Sequence, residues 1–261
     1  LNIMSTAQSL PDISRSILEK LTPVIKEFEP NLLLVHGDTS TTFAASLAAF
    51  YEKTDVAHVE AGLRTGDNYN PWPEEVNRKM TGIIAKYHFA PTEISVKNLI
   101  AENYCKDNIF LTGNTVIDTL FLTVKKIKND RNLQNIFKKQ FSFIDENRKM
   151  ILVTSHRREN ISRGLEQICY ALLELAKKHN NIQIVYPVHP NPKVRKIVFK
   201  LLSHVKNIEL IEPQQYLAFV FLMTKSYIIL TDSGGIQEEA PSLGIPVLVM
   251  RNITERPEAV D

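Results

Sequence analysis

Leu230-Thr231-Asp232-Ser233-Gly234-Gly235-Ile236-Gln237-Glu238-Glu239 brings the end of a strand, a turn and the start of a helix together within ten residues. The apolar residues 227–230 predict a short buried strand, and residues 236–243 predict a helix. Two adjacent glycines let another group approach the backbone closely, and the free N–H groups of a helix start attract phosphate. A plain turn in which Ser233 caps the helix is an equally compatible interpretation. The acids one turn into the helix, Glu238 and Glu239, could accept hydrogen bonds from ribose hydroxyls.

Length and composition are those of a globular protein with room for two domains. The chain has 261 residues, and domains contain about 100–200 residues each. The net charge is only +2 with Lys and Arg scattered, which argues against nucleic-acid binding. No apolar run approaches the roughly 20 residues of a membrane span. Cys105 and Cys169 are too few and too far apart for a disulfide framework or a zinc site, which favours a cytoplasmic location.

Continuous apolar runs of strand length alternate with amphipathic helices along the chain. They predict an α/β fold of two Rossmann-like, doubly wound domains, residues 1–113 and 114–261, that face a cleft. The segment that runs from residue 113 to about residue 140 ends in many Lys and Asn residues, and we interpret this end as a solvated linker. Pro23 is expected to bend or interrupt the helix predicted over residues 10–28. The predicted strands span residues 32–35, 56–59, 88–90, 109–111, 151–154, 182–186, 208–211, 227–230 and 247–250.

Acidic residues follow strands in the first half, and basic residues follow a strand in the second. Asp38 and Glu60 end their strands, and Glu74 ends the long polar loop 62–75. His156-Arg157-Arg158 takes the corresponding position in the second half. Together they would provide carboxylates to remove a proton from a sugar carbon and cations to stabilise a departing phosphate. Each has an ordinary alternative, such as Asp38 as a helix cap, so only their joint placement favours function.

Two His-x-acid pairs raise a metal site as an alternative. His36 and Asp38, like His58 and Glu60, are two residues apart and share a strand face, which would suit a divalent ion. The segment Thr112-Gly113-Asn114-Thr115 lacks the histidine that a metallophosphoesterase carries after Gly-Asn. We therefore predict no metal and interpret the histidines as hydrogen-bonded groups at strand ends.

Several longer motifs follow one another along the chain. They are Val35-His36-Gly37-Asp38-Thr39, His58-Val59-Glu60-Ala61-Gly62-Leu63-Arg64-Thr65, Pro71-Trp72-Pro73-Glu74-Glu75 with Asn77-Arg78, Thr112-Gly113-Asn114-Thr115-Val116-Ile117-Asp118, His156-Arg157-Arg158-Glu159-Asn160, Tyr186-Pro187-Val188-His189, the glycine turn at 230–239, and Thr254-Glu255-Arg256-Pro257-Glu258. In these motifs and their order the chain closely resembles the bacterial non-hydrolysing UDP-N-acetylglucosamine 2-epimerases. His189 could contact a ligand or pack within its loop, and the sequence leaves both open.

This resemblance implies two Rossmann-like domains similar to GT-B glycosyltransferases, with UDP-GlcNAc or UDP held mainly by the second. It implies an isomerase that eliminates UDP across C1–C2 to give 2-acetamidoglucal, then adds UDP back after protonation on the other face of C2. It also implies a homodimer and no nicotinamide or metal cofactor. The residues at catalytic positions are Asp38, Glu60, Glu74 and His156. The residues at positions that hold uridine, ribose and diphosphate are Gln214, Phe219, Ser233, Gly234, Gly235, Glu239 and Arg256.

Family members begin with a further βα unit containing Gly-x-Arg-Pro-Glu and extend beyond the position of Asp261. The sequence is therefore expected to be an internal fragment. Three alternatives to the epimerase are a hydrolysing epimerase that releases free ManNAc, a GT-B glycosyltransferase, and an inactive UDP-sugar-binding fragment. The three acids of the first half favour the epimerase, since a retaining transferase does not need three acids around C2.

Overall fold

The computed structural model describes residues 1–3, 8–155, 163–250 and 254–256. The chain forms two compact units, Leu1–Thr115 and Val116–Asp261. Each unit contains one open β-sheet in which every described strand pair is parallel. The α/β class with two parallel sheets, predicted from the continuous apolar runs, is confirmed.

Unit 1 has a sheet in the order β1-β2-β3-β4, with the strands in sequence order. Its apolar core includes Ile25, Val35 and Val56, which pack between the helices and the sheet. The elements are α1 (Leu10–Phe28), β1 (Leu32–His36), α2 (Ser40–Tyr51), β2 (Asp55–Val59), α3 (Glu74–Ile84), β3 (Tyr87–Ala90), α4 (Glu93–Ala101), a short 3₁₀ turn (Lys106–Asn108) and β4 (Ile109–Leu111).

Helix α1 continues through Pro23, so of the bend or interruption expected there, the interruption is wrong. A proline inside a helix removes one hydrogen bond and costs about 3 kcal/mol. Helix α1 packs against α2, and the burial of Ile25 with Ala48 and Ala49 offsets this cost.

Unit 2 has a sheet in the order β7-β6-β5-β8-β9. From β5 the sheet grows to one side through β6 and β7 and to the other side through β8 and β9, so the switch point of the strand order lies between β5 and β8. In sheets of this kind, ligands bind beyond the carboxyl ends of the strands at the switch point. The elements are α5 (Thr115–Asn129), α6 (Arg131–Gln140), β5 (Lys149–Thr154), α7 (Arg163–Lys178), β6 (Ile182–Pro187), α8 (Pro192–Leu202), β7 (Ile208–Ile211), α9 (Tyr216–Lys225), β8 (Ile228–Thr231), α10 (Gly234–Ser242) and β9 (Val247–Val249).

Helices α5 and α6 occupy the segment interpreted as a solvated linker, so that interpretation is wrong. Leu120, Ile127 and Phe137 are buried in the larger core of unit 2, where the Phe137 ring lies 5.2 Å from the ring of Phe221. The Lys and Asn residues of this segment belong to the exposed sides of two amphipathic helices. A second core of unit 2 includes Cys169 and Tyr186.

Among the helices in the described part of the chain, none combines the length and the apolar character needed to cross a membrane.

Candidate active site

The carboxyl ends of β1 and β2 place two carboxylates of unit 1 side by side. Asp38 follows β1, Glu60 follows β2, and the N–H of Gly37 donates to the carbonyl of Val59 at 3.0 Å. Gly37 has φ +75°, a conformation that costs glycine little, and a Cβ built there would lie 3.3 Å from Oε2 of Glu60. The carboxylate of Glu60 therefore lies directly over the turn that carries Asp38.

Buried His58 supports this turn from below. Its Nε2 lies 2.7 Å from the carbonyl oxygen of Gly37, and because a carbonyl only accepts, Nε2 carries the proton. Burial lowers the pKa of His58 from 6.5 to about 4, so the imidazole is neutral at physiological pH. The more exposed His36 has its Nε2 3.9 Å from Oε2 of Glu60. Within the described ranges no group of three or more His, Cys, Asp and Glu side chains could hold a metal ion.

Asp38 is not a helix cap, which was the ordinary alternative for it. The cap of α2 is Thr39, whose hydroxyl accepts from the N–H of Thr42 at 3.3 Å. Instead, Oδ2 of Asp38 accepts from Nη2 of Arg78 at 2.5 Å. Arg78 is 2% exposed and also donates from Nη1 to Oε2 of Glu75 at 2.9 Å. A buried guanidinium on α3 therefore fixes an acid at the end of β1.

Glu74 and Glu75 begin α3 but have different surroundings. Glu75 is fully buried, and its carboxylate accepts from the backbone N–H groups of Thr65 and Gly66 at 3.1 and 3.2 Å. Glu74 is half-buried, and no hydrogen bond or ion pair to it is found among the described residues. Glu75 is therefore held by its neighbours, while the carboxylate of Glu74 is available to a ligand.

A cavity of 210 Å³ lies at the switch point of the unit 2 sheet, at the carboxyl ends of β5, β6 and β8. It contains three of the residues predicted to hold the nucleotide, and it also contains His189, whose role the sequence left open. Nδ1 of His189 accepts from the N–H of Asn191 at 3.2 Å, which leaves Nε2 as the donor of the neutral ring. The lining residues are Thr154, Ser155, Pro187, His189, Pro213, Gln214, Phe219, Ser233 and Ile236.

The glycine turn at the start of α10 differs from the plain capped turn that was its alternative. Ser233 occupies the N-cap position, but its side chain makes no capping hydrogen bond. A Cβ at Gly234 would lie 2.3 Å from Nη1 of Arg256, so a larger residue there would displace this guanidinium. A Cβ at Gly235 would be 3.7 Å from the nearest carboxylate oxygen, which is an ordinary contact. Gly234 thus makes room for the guanidinium at the helix start, whereas Gly235 does not.

Arg256 is buried at this helix start with two carboxylates around it. Its Nε donates to Oε1 of Glu238, and its Nη1 donates to Oε1 of Glu255 at 2.7 Å. The hydroxyl of Thr254 donates to Oε1 of buried Gln237 at 2.6 Å, which ties the same segment to α10. The guanidinium therefore lies against the N-terminus of α10, where both its charge and the helix dipole would attract a phosphate.

Glu239 lies one turn further along α10 and is 7% exposed. Burial raises the pKa of Glu239 from 4.5 to about 7, and the charge of Glu238 adds to the rise. The hydroxyl of Tyr216, 3.5 Å from Oε2, acts in the opposite direction. Near neutral pH this carboxyl group is therefore divided between its protonated and ionised forms.

Known proteins that are similar to this chain identify its family. The family model described as UDP-N-acetylglucosamine 2-epimerase matches residues 1–261. The chain belongs to the UDP-N-acetylglucosamine 2-epimerase family. It is 59% identical over 260 residues to the UDP-N-acetylglucosamine 2-epimerase of Escherichia coli strain K12, with 100% of this chain and 69% of that protein covered. The resemblance stated from the motifs is confirmed.

Two solved structures show the same fold. The UDP-GlcNAc 2-epimerase of Neisseria meningitidis bound to UDP-GlcNAc matches with a TM-score of 0.97 and 56% identity, over 100% of this chain and 70% of that one. The Methanocaldococcus jannaschii UDP-GlcNAc 2-epimerase in complex with UDP-GlcNAc and UDP matches with a TM-score of 0.88 and 35% identity, again over 100% and 70%. The Rossmann-like, GT-B-type class predicted for this epimerase is thereby confirmed.

For this epimerase the structure brings together some of the predicted residues. Asp38 and Glu60 share one edge of the unit 1 sheet, and Glu74 begins α3. Gln214, Phe219 and Ser233 line the unit 2 cavity, and Arg256 lies beside Gly234. His156 lies outside the described residues.

Sequence reasoning gave no role to several polar groups around the candidate site. Ser155 donates to Oδ2 of the fully buried Asp232 at 3.0 Å, behind the cavity. Glu75 and Arg78 were quoted as parts of motifs but were given no role. Asp232 could have been found, because it follows β8 as Asp38 follows β1.

Proposed function

We propose that this protein interconverts UDP-GlcNAc and UDP-ManNAc by inverting C2 of the sugar. The observation that carries the proposal is the pair of carboxylates, Asp38 and Glu60, at neighbouring carboxyl ends of β1 and β2. Removing a proton from a sugar carbon and returning one to its opposite face requires two general acid–base groups, and carboxylates are suited to this role. The similarity to epimerases solved with UDP-GlcNAc supports the choice of substrate.

Unit 2 is proposed to hold the nucleotide. The N–H groups at the start of α10 and the guanidinium of Arg256 would bind the diphosphate. Ionised Glu239 would accept from the ribose hydroxyls, and Gln214 and Phe219 would contact uridine. The buried position of Arg256, the closeness of Gly234 to it and the 210 Å³ cavity support this assignment.

The chemistry proposed for unit 1 is an elimination followed by an addition. One carboxylate takes the C2 proton while the C1–O bond breaks and UDP leaves with that electron pair, which gives 2-acetamidoglucal. A second acid protonates C2 from the other face, and UDP adds back to C1. Asp38, Glu60 and Glu74 are proposed for these proton transfers, and His156 for stabilising UDP as it leaves. These reaction steps consume no oxidant and require no metal ion, so no cofactor is proposed.

Incubation with UDP-GlcNAc in deuterated water, read by proton NMR, tests the proposal. The expected product is UDP-ManNAc with deuterium at C2, because the removed proton exchanges with solvent. Retention of the original C2 hydrogen in the product would exclude the elimination route and favour oxidation and reduction. Free ManNAc would indicate a hydrolysing epimerase, and an unchanged substrate would refute the activity.

The domain boundary at residues 113–114, the homodimer and the cytoplasmic location are part of the same proposal. Val76, Met80 and Ile83 are exposed at helical spacing on one face of α3, which supports self-association through this face. Light scattering should give the mass of two chains for the natural protein and of one chain for Ile83→Glu.

Both cysteines are unpaired in the structure, which supports the proposed reducing compartment.

A further inference from the structure

Arg78 connects two carboxylates that have different surroundings. Its side chain is 2% exposed, and its two terminal nitrogens point to different partners, Nη2 to Asp38 at 2.5 Å and Nη1 to Glu75 at 2.9 Å. The side chain of Asp38 is 26% exposed, whereas that of Glu75 is fully buried. One guanidinium therefore joins the interior of unit 1 to an acid that can reach a ligand.

Glu75 fixes the inner end of this connection. Its carboxylate accepts from the N–H groups of Thr65 and Gly66 and from Arg78, and the ammonium of Lys79 lies 3.6 Å from Oε1. A buried carboxylate is stable only when its lone pairs are satisfied in this way. Glu75 therefore holds Nη1 in one place, and the planar guanidinium then fixes the direction of Nη2.

Arg78 binds only one of the two carboxylate oxygens of Asp38. Oδ2 is bound by Arg78, and no hydrogen bond to Oδ1 is found among the described residues. The amide of Asn77 donates to the main-chain carbonyl of Asp38 at 2.9 Å, so α3 fixes the backbone of this residue as well. Oδ1 is the oxygen left to exchange a proton with a ligand.

We propose that Arg78, anchored by Glu75, is a positioning residue that sets the orientation of the Asp38 carboxylate for proton transfer at C2. The inference rests on the proposed epimerase function and adds two residues that act through Asp38. A purely structural role would require only the bond from Arg78 to Glu75, which satisfies the buried carboxylate that ties α3 to the loop at 65–66. The second bond, to Asp38, adds little to the attachment of α3 to the end of β1, because Asn77 already holds the backbone of Asp38.

Arg78→Lys tests the inference, because an ammonium is a single point donor that cannot hold both carboxylates in one plane. Misplacement of a reacting group by about 1 Å costs about 10²-fold in rate, so kcat should fall roughly 10- to 100-fold. KM and the Kd for UDP should stay within about threefold, because Arg78 belongs to unit 1, whereas the residues proposed to hold the nucleotide belong to unit 2. An unchanged kcat, or a loss of UDP affinity in proportion to kcat, would overturn the inference.

Arg64→Lys is the matched control. Arg64 also has a buried guanidinium, 8% exposed, whose Nε and Nη2 each donate to Glu102 at 2.7 Å. This variant should lose a similar amount of thermal stability and keep its kcat. Equal loss of kcat in both variants would show that any weakened arginine disturbs unit 1, and the positioning role would be rejected.

The Asp38→Asn background separates positioning from folding. If Arg78 acts through Asp38, Arg78→Lys should change the residual rate by less than about threefold once Asp38 is Asn, because coupled residues are not additive. The same fold loss in both backgrounds would overturn the inference. Should Arg78→Lys not fold, Arg78→Gln provides the same comparison with a neutral donor.

Different outcomes would refute the epimerase function and the positioning role of Arg78. Absence of C2 deuteration in the natural protein would refute the epimerase function itself. Normal deuteration together with an unaffected Arg78→Lys variant would refute only the positioning role.

Discussion

Lowering the pH from 8 to 6 should weaken the binding of UDP-GlcNAc by about three- to sixfold, because it protonates Glu239. The pKa of this carboxyl is about 7, raised by burial among α10 and its neighbours. About nine-tenths of the groups are then ionised at pH 8 and about one-tenth at pH 6. A ribose hydroxyl that donates to the ionised form loses its stronger acceptor over this range.

The magnitude follows from the difference between two kinds of hydrogen bond. A bond to a charged group contributes about 1.5–3 kcal/mol, and one between neutral groups contributes about 0.5–1.5 kcal/mol. The difference of about 1–1.5 kcal/mol corresponds to a five- to tenfold difference in Kd between the ionised and the protonated form. Because about one-tenth of the other form is present at pH 8 and at pH 6, the change in Kd between these two pH values is about three- to sixfold. Protonation should therefore weaken nucleotide binding without abolishing it.

Isothermal titration calorimetry in the Asp38→Asn background would measure this dependence without turnover. UDP-GlcNAc is the appropriate ligand, because the terminal phosphate of UDP itself titrates at about pH 6. Glu239→Gln should bind more weakly and with the same Kd from pH 6 to 8. Tyr216→Phe removes the hydroxyl that lowers the pKa of Glu239, so its midpoint should move to higher pH.

The same shift has a consequence for the folded protein without nucleotide. The pKa of Glu239 is higher in the folded state than its ordinary value of 4.5, so its destabilising effect begins above that value and is complete above about 7. Each pKa unit corresponds to about 1.4 kcal/mol, which gives an upper limit of about 3 kcal/mol at pH 8. Glu239→Gln should therefore raise the melting temperature at pH 8 and leave it unchanged at pH 4.

The reasoning would be refuted by a Kd for UDP-GlcNAc that does not change between pH 6 and 8 in the protein with Glu239. It would equally be refuted by the same pH dependence in Glu239→Gln, since the titrating group would then lie elsewhere.

Five further substitutions test other parts of the structure. Asp38→Asn and Glu60→Gln should each lower kcat by about 10²–10⁴-fold and leave the Kd for UDP within about twofold, and a parallel loss of affinity would mean that they bind rather than react. Gly234→Ala should weaken UDP binding at least about tenfold in calorimetry, because a Cβ there meets a guanidinium, while Gly235→Ala should not; equal effects would contradict the packing argument. Phe137→Ala should lower the free energy of unfolding in urea by about 3–5 kcal/mol, and a loss below about 0.5 kcal/mol would fit a solvated linker instead.

Most of the fold could be predicted because its strands are continuous apolar runs. Strands β5 and β6 lie under helices on both faces, so they carry no polar alternation and stand out from the helices between them. Helices α5 and α6 were missed because their buried residues, such as Leu120 and Phe137, are separated by many Lys and Asn residues. Only the packing of these residues against α9 shows that they belong to the core.

The placement of candidate site residues could be predicted where it depends on position along a strand. Asp38 and Glu60 follow the apolar runs that form β1 and β2, which the sequence shows. The inward direction of Glu75 could not be predicted beside Glu74, because neighbouring residues on a helix point about 100° apart and tertiary packing decides which one is buried. The bond from Arg78 to Asp38 joins residues 40 positions apart and likewise depends on packing.

Glu60 has φ +67°, a left-handed conformation that costs a residue with a side chain on the order of 1–2 kcal/mol. Glycine would suit this backbone better, so Glu60→Gly would relieve the strain and remove the carboxylate at the same time. Substitution by glycine would therefore favour stability at this position, whereas the proposed proton transfer requires the glutamate. In the proposed reaction, the end of β2 is thus a place where stability and activity oppose each other.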